Sequence, residues 1–215
     1  MARWYSRILE GALVLAAVST AGLAWKRSLE PTSTGISRAP IRVKDWKREL
    51  AFDRRVGPAS APIRLAVWTD YQCPACQQME REFAKLRSRL GDSLTIAYRY
   101  YPLPSHKLAF DAAVVAECAQ QRGKFDTMHN ALFATRLHGD SLPLDSLAVA
   151  TGIMTANELR GCMAQSSVRS VVQRDLDQAQ ALGFQGTPYL QIGDHLTLGG
   201  MPAEQLEKLL RAAAR

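Results

Sequence analysis

Cys73, Pro74, Ala75 and Cys76 set two thiols three residues apart, where a strand-like run gives way to a helix-like one. On the first turn of a helix such a pair can close a strained, reversible disulfide. The leading sulfur then lies beside backbone N–H groups that have no intrahelical partner, at the positive end of the helix dipole. Both lower its pKa and make a thiolate available. Pro74 suits the first helical position, because the N–H it lacks would have had no partner there. Haem attachment needs a His after the second cysteine, and Gln77 stands there instead. A zinc site needs two further ligands, and the chain has neither a second Cys-x-x-Cys nor a closely spaced His pair. Thiol–disulfide exchange is the chemistry this leaves, with a structural disulfide as the bland alternative. Exchange needs no metal and no organic cofactor.

The elements that must hold the tetrad can be read around it. Residues 63–69 (IRLAVWT) predict a strand, and an amphipathic helix follows from Pro74 to about Leu90. Gly91-Asp92-Ser93 stops it, and residues 94–100 (LTIAYRY) predict a second strand. Strand, helix, strand makes a βαβ unit, so the strands should be parallel with a right-handed crossover. From His106 to about Leu182 the pattern is helical. It gives runs at 106–122, 125–135, 144–150 and 155–163, the last with a Thr155–Glu158 capping box, and then 167–182. Strand character returns at 187–192 and 195–198, around the turn Gly193-Asp194, before a terminal helix from Pro202 to about Ala213. The fold class is α/β, a sheet interrupted by a helical insertion. The expected boundaries are 57–103 and 183–215 for the two halves and 104–182 for the insertion. Residues 28–56 read as a linker or arm, Pro- and Ser-rich at first and then charged, with a short helix allowed over 46–55.

Residues 1–27 are a separate matter. Arg3 and Arg7 precede an apolar, small-residue run over residues 8–25, broken only by Glu10 and followed by Lys26-Arg27. This is an export signal, either a cleaved signal peptide or an uncleaved membrane anchor, and membrane contact is expected through residues 8–25 only. The remainder should lie in the periplasm or another extracytoplasmic space, where disulfides persist. The even cysteine count fits that compartment. Cys118 and Cys162 are expected to form a structural bridge, worth roughly 4 kcal/mol on the chain-entropy model. Two buried free thiols are the alternative. The net charge of +7 is spread singly among acidic residues without an aromatic stripe, so nucleic-acid binding is not expected.

Taken in order, these pieces resemble the DsbA-like branch of the thioredoxin superfamily over about residues 57–213. The match is carried by Ala61-Pro62-Ile63, by Thr69-Asp70-Tyr71-Gln72 leading into the tetrad, and by Tyr100-Tyr101-Pro102-Leu103 with His106. It continues through Ala116-Glu117-Cys118-Ala119, Gly123-Lys124-Phe125, Met128-His129 and Ala131-Leu132-Phe133, and ends with Gly186-Thr187-Pro188 and Gly199-Gly200. The resemblance implies a thioredoxin fold with an inserted α-helical domain. It also implies a cis peptide before Pro188 and a loop that brings the Thr187 backbone beside the sulfurs, where an extended substrate segment can pair with it. Pro74, Ala75, Thr187 and Pro188 would contact substrate. Cys73 would be nucleophile and leaving group, and Cys76 the resolving thiol. The implied partners are cysteine-containing proteins and a membrane redox partner that recycles the pair, with the enzyme a monomer.

Two departures matter. The prototype has Pro-His between its cysteines, whereas Ala75 offers neither a donor nor a charge. Cys73 should therefore be depressed in pKa but less so than in the prototype, with a less oxidising couple. Val67 stands where the prototype carries a buried acid, which leaves Asp70 as a candidate substitute proton carrier or, equally, a turn or cap residue. His106 and His129 read as helix-start or packing residues. The expected function is an exported thiol:disulfide oxidoreductase, most simply an oxidase. The alternatives are a dedicated reductase or isomerase of the same fold, or a non-catalytic peptide-binding or holdase module.

Overall fold

Two seven-residue runs make the middle of the sheet. The computed structural model describes residues 41–42, 54–135 and 144–214. In it Ile63–Thr69 (β3) and Leu94–Tyr100 (β4) lie in parallel register, Ile63 opposite Leu94 and Thr69 opposite Tyr100. Every residue of β4 is buried, and all of β3 except Arg64, because both faces of this pair are covered. Tyr189–Ile192 (β5) pairs antiparallel with β3, and His195–Leu198 (β6) with β5. Ile41–Arg42 (β1) and Arg55–Val56 (β2) close the two edges, giving the order β1-β6-β5-β3-β4-β2.

Both edge strands fall within the expected linker or arm, residues 28–56. Runs of two residues carry no alternation to read. They form because the edges of β6 and β4 offer unpaired N–H and C=O groups. Gly57 lets the chain pass from β2 beneath β4: its φ is +106°, and a Cβ there would lie 2.2 Å from the Leu94 carbonyl oxygen. The expected signal or anchor at 1–27 and the charged stretch 46–53 lie outside the described residues. No helix among the described residues is long and apolar enough to cross a membrane.

Pro74–Leu90 (α1) joins β3 to β4. Its buried stripe, Cys76, Met79, Phe83, Leu86 and Leu90, recurs every three or four residues, so one face meets the sheet. Arg87 and Arg89 sit in its last turn, where positive charge complements the dipole, and Gly91 ends it with φ of 50°. Among the described residues five helices come between β4 and β5: Ala109–Gln120 (α2), Phe125–Ala134 (α3), Leu144–Ala150 (α4), Ala156–Met163 (α5) and Ser166–Ala181 (α6). The last, Ala203–Ala213 (α7), follows β6. Nine of the twelve residues of α2 are buried, and its alanines allow helices to pack closely around it. The capping box starts α5, with Thr155 Oγ1 accepting from Glu158 N–H and the Glu158 carboxylate accepting from Thr155 N–H at 2.7 Å. A disulfide between Cys118 and Cys162 ties α2 to α5, with Cα atoms 6.0 Å apart.

Alternation along the strands divides the core. Leu65, Val67, Ile96, Tyr98 and Tyr100 enter a large cluster with α1, α7 and the inserted helices. Ala66, Trp68 and Ala97 enter a smaller one with Ala179, Phe184 and Tyr189, where Trp68 meets Phe184 edge-on and Phe184 stacks on Tyr189. A buried ion cluster fixes the insertion to the sheet. Arg54 contacts Glu117 of α2 at 3.2 Å and also Asp175 of α6, and Arg99 of β4 contacts Asp175 at 2.7 Å. Tyr100 adds two hydrogen bonds, its N–H to Asp175 and its hydroxyl to Glu117. Isolated buried charges would cost several kcal/mol each, so the cluster must assemble together. Burial raises the pKa of Glu117, against the opposing pull of Arg54.

Candidate functional site

The redox pair sits where β3 hands over to α1. Cys73 is the residue before the first turn, with an extended backbone (φ −73°, ψ 121°), and its carbonyl accepts from Gln77 N–H at 3.1 Å. No side-chain oxygen caps this helix, so the Cys73 sulfur meets the first-turn N–H groups instead. Both cysteines are thiols in this structure, 6% and 1% exposed.

The opposing wall is the loop before β5. The Thr187–Pro188 peptide is cis, and the Cys73 thiol donates to the Thr187 carbonyl at 3.6 Å. Gly199 N–H donates to the Pro188 carbonyl at 2.8 Å, fastening this loop to the end of β6. A shallow cleft opens beside Ala75, lined by Gln78, Met79, Gly200 and Met201. The structure thus brings Cys73, Cys76, Pro74, Ala75, Thr187 and Pro188 to one end of the sheet.

The two sulfurs are pushed apart electrostatically. Cys73 is lowered to about 5, first by a hydrogen bond from the Cys76 thiol, and then, against the effect of burial, by the N–H groups of Cys76 and Ala75. Cys76 is held well above the ordinary thiol range by burial and by its negatively charged neighbour. At neutral pH the reduced pair is therefore a thiolate at Cys73 and a thiol at Cys76. Among the described residues no three His, Cys, Asp or Glu side chains come close enough to hold a metal ion.

Residues 51–212 match the sequence profile of the family described as Thioredoxin. The chain belongs to the thioredoxin family. Among its described residues five helices are set between β4 and β5 of the thioredoxin fold. It is 26% identical to a thioredoxin-like oxidoreductase from Silicibacter pomeroyi, with a TM-score of 0.64 over 74% of this chain and 90% of that one. The thiol-disulfide exchange protein α-DsbA2 of Wolbachia pipientis shares the fold, at 18% identity and a TM-score of 0.64 over 74% and 85% of the two chains. A Na(+)/H(+) antiporter NhaA 1 of Mycolicibacterium gilvum is 31% identical over 161 residues, 73% of this chain. The chain spans about a quarter of that relative's length, 26%.

Asp70, the candidate proton carrier, is buried with both carboxylate oxygens already engaged. Oδ1 accepts from Gln72 N–H at 2.7 Å, and Oδ2 from Leu103 N–H at 2.8 Å and His106 Nδ1 at 2.7 Å. These contacts tie the turn before the tetrad to the segment that follows β4. Val67 is buried and apolar in β3. Sequence reasoning did not single out Glu80, one helical turn after Cys76. Its carboxylate accepts from the Tyr98 hydroxyl at 3.2 Å and lies 3.5 Å from Nε2 of the fully buried His129, whose Nδ1 meets the Tyr71 hydroxyl at 3.0 Å. The i, i+4 relation to Cys76 was the available signal. His129 packs among Tyr71, Tyr98, Phe125 and Phe133, in keeping with its reading as a packing residue.

Proposed function

We propose that this thioredoxin-family protein is an exported oxidase that passes disulfides to cysteine-containing proteins, with Cys73 as the exchanging sulfur and Cys76 as its partner. The observation that carries this is the place of Cys73 at the uncapped start of α1, where the Cys76 thiol and the first-turn N–H groups lower its pKa to about 5. A thiol with a low pKa is a good leaving group, and a stabilised reduced form makes its disulfide oxidising.

The steps follow from the geometry. A substrate thiolate attacks Cys73 Sγ of the Cys73–Cys76 disulfide. The S–S bond breaks, and Cys76 leaves and takes up a proton, as its raised pKa demands. A second substrate thiolate attacks the substrate sulfur of the mixed disulfide and expels Cys73 as a thiolate. Two electrons have then passed from two substrate thiols to the pair, and a membrane redox partner removes them in turn. The extended substrate segment lies across Pro74 and Ala75 against the Thr187–Pro188 loop, and the Met79–Met201 cleft offers an apolar seat beside it. The apolar run at residues 8–25 and the Cys118–Cys162 disulfide support an extracytoplasmic setting. Occurrence of a similar segment within chains named as membrane antiporters fits a place near the membrane.

A glutathione redox titration of the pair, run with oxidation of a reduced two-cysteine peptide and a Cys73→Ala control, tests this. The expected result is a couple well above thioredoxin's roughly −270 mV and oxidation that needs Cys73. A couple as reducing as thioredoxin's would point to a reductase. Peptide binding indifferent to Cys73→Ala, with no oxidation, would point to a holdase.

A further inference from the structure

Asp70 lies three residues before Cys73, and its backbone carbonyl accepts the Cys73 N–H at 3.1 Å. Its side chain is wholly buried and receives three donors: Gln72 N–H from within the same turn, and Leu103 N–H and His106 Nδ1 from the segment that follows β4. That segment is bound a second time, since Leu108 N–H donates to the Gln72 side-chain oxygen at 2.6 Å. The turn 70–73 is thus fastened at two points to residues 103–108, which lead into the inserted helices. Hydrogen bonds to a carboxylate are stronger than those between neutral groups, so this turn is held more firmly than it would be alone. The sulfurs take none of these bonds.

We propose that Asp70 and His106 are positioning residues of the redox pair: their contact clamps the turn before the tetrad so that Cys73 stays extended at the helix start, facing the Ala75 and Cys76 N–H groups and the Thr187 carbonyl. This deepens the exchange chemistry proposed above and rests on it. When the clamp is loosened, Cys73 turns away from the first-turn donors, the thiolate loses stabilisation, and the sulfur becomes a poorer leaving group. His106 has a quarter of its side chain in solvent (24%), so it can be changed without opening the core.

The test uses the full chain with three variants, following thiolate absorbance against pH, the redox potential and the melting temperature together. His106→Leu removes the donor, and its Cys73 midpoint should rise so that proton affinity increases about threefold, with a less oxidising couple. In His106→Asn the amide nitrogen can stand where Nδ1 stood, and both quantities should return to near wild type. Asp70→Asn should shift them further than His106→Leu. If Asp70→Asn does not fold, the two His106 variants decide the matter. A Cys73 midpoint unchanged in His106→Leu, whatever its melting temperature, overturns the proposal, and so do equal shifts in His106→Leu and His106→Asn. A wild-type protein with no acidic thiol would overturn the oxidase assignment as well, whereas an acidic wild-type thiol with indifferent variants would sink the clamp alone.

Discussion

The chain carries two cysteine pairs, and their difference lies in position rather than residue type. Cys118 and Cys162 sit inside α2 and α5, among apolar neighbours, and are joined. Their backbone N–H groups lie within helices, so nothing there would favour a thiolate. Cys73 and Cys76 occupy the start of α1, where unpaired N–H groups and a neighbouring thiol stabilise negative charge on one sulfur while burial keeps it off the other. The first pair joins helices 44 residues apart in sequence. The second closes within one turn and gains almost nothing in chain entropy, so it is free to open and close. A disulfide that staples and one that reacts therefore use the same bond in different electrostatic surroundings.

The sharpest way to break this division is to remove sulfurs from each pair in turn. Cys73→Ala should reduce exchange by about a thousandfold or more, because the remaining thiol, Cys76, is more deeply buried and keeps its proton. Cys76→Ala should instead accumulate mixed disulfides with substrate, visible on non-reducing gels. Replacing Cys118 and Cys162 together by Ala should leave the Cys73 midpoint in place while lowering stability by about 4 kcal/mol, measured by denaturant titration. Loss of exchange in the double variant under conditions where it remains folded would mean that the stapled pair also takes part in the chemistry.

The reactive pair was the more legible of the two. A strand, a Cys-Pro-x-Cys and an amphipathic helix each leave strong marks, and β3, α1 and β4 have the same bounds in the sequence pattern as in the structure. What escaped is what long-range burial decides. Arg54 reads as one charge among many in a stretch that suggests an exposed arm, yet it is 6% exposed and clasped by Glu117 and Asp175 from two different helices. Nothing local marks those three as partners, since residues 54, 117 and 175 meet only once the insertion has packed. Asp70 shows the same limit on a smaller scale. Its place before the tetrad suggested proton transfer or a turn, and nothing local announces the donors that arrive from Leu103 and His106. The strands β1 and β2 are too short to carry a period at all.

A smaller effect links the reactive pair to stability through pH. In the reduced protein Cys73 titrates near 5, against an ordinary thiol value of 9.0. An acid whose pKa is depressed by folding adds stability that grows as pH rises from the folded value towards the unfolded one, and that is lost as pH falls through about 5. The oxidised pair has no such group. The melting temperature of the reduced protein minus that of the oxidised protein should therefore fall steadily from mildly alkaline pH towards 5 and level off below it. Beyond the ordinary thiol range Cys76 acts in the opposite sense, because its folded pKa is raised. A difference that stays flat between pH 5 and 9 would show that the thiolate is not stabilised by the fold, and the contrast between the two pairs would lose its physical basis.

The smallest expected effect concerns Ala75. The donors that reach Cys73 are the Cys76 thiol and two backbone N–H groups, and Ala75 contributes only its N–H. An imidazole at this position would add a donor and, when protonated, a positive charge beside the sulfur. Ala75→His should therefore move the Cys73 midpoint below about 5, towards the roughly 3.5 of the Pro-His prototype. The couple should become more oxidising in parallel, since stabilising the thiolate stabilises the reduced state. Thiolate absorbance and a glutathione titration measure the two quantities separately. If both stay where they are, the backbone and Cys76 already saturate the sulfur, and the dipeptide does not set the poise of this site. If the midpoint falls while the potential does not, the Cys76 thiol must lose as much as Cys73 gains, which would make the two sulfurs one coupled titration rather than an acid and its resolving partner.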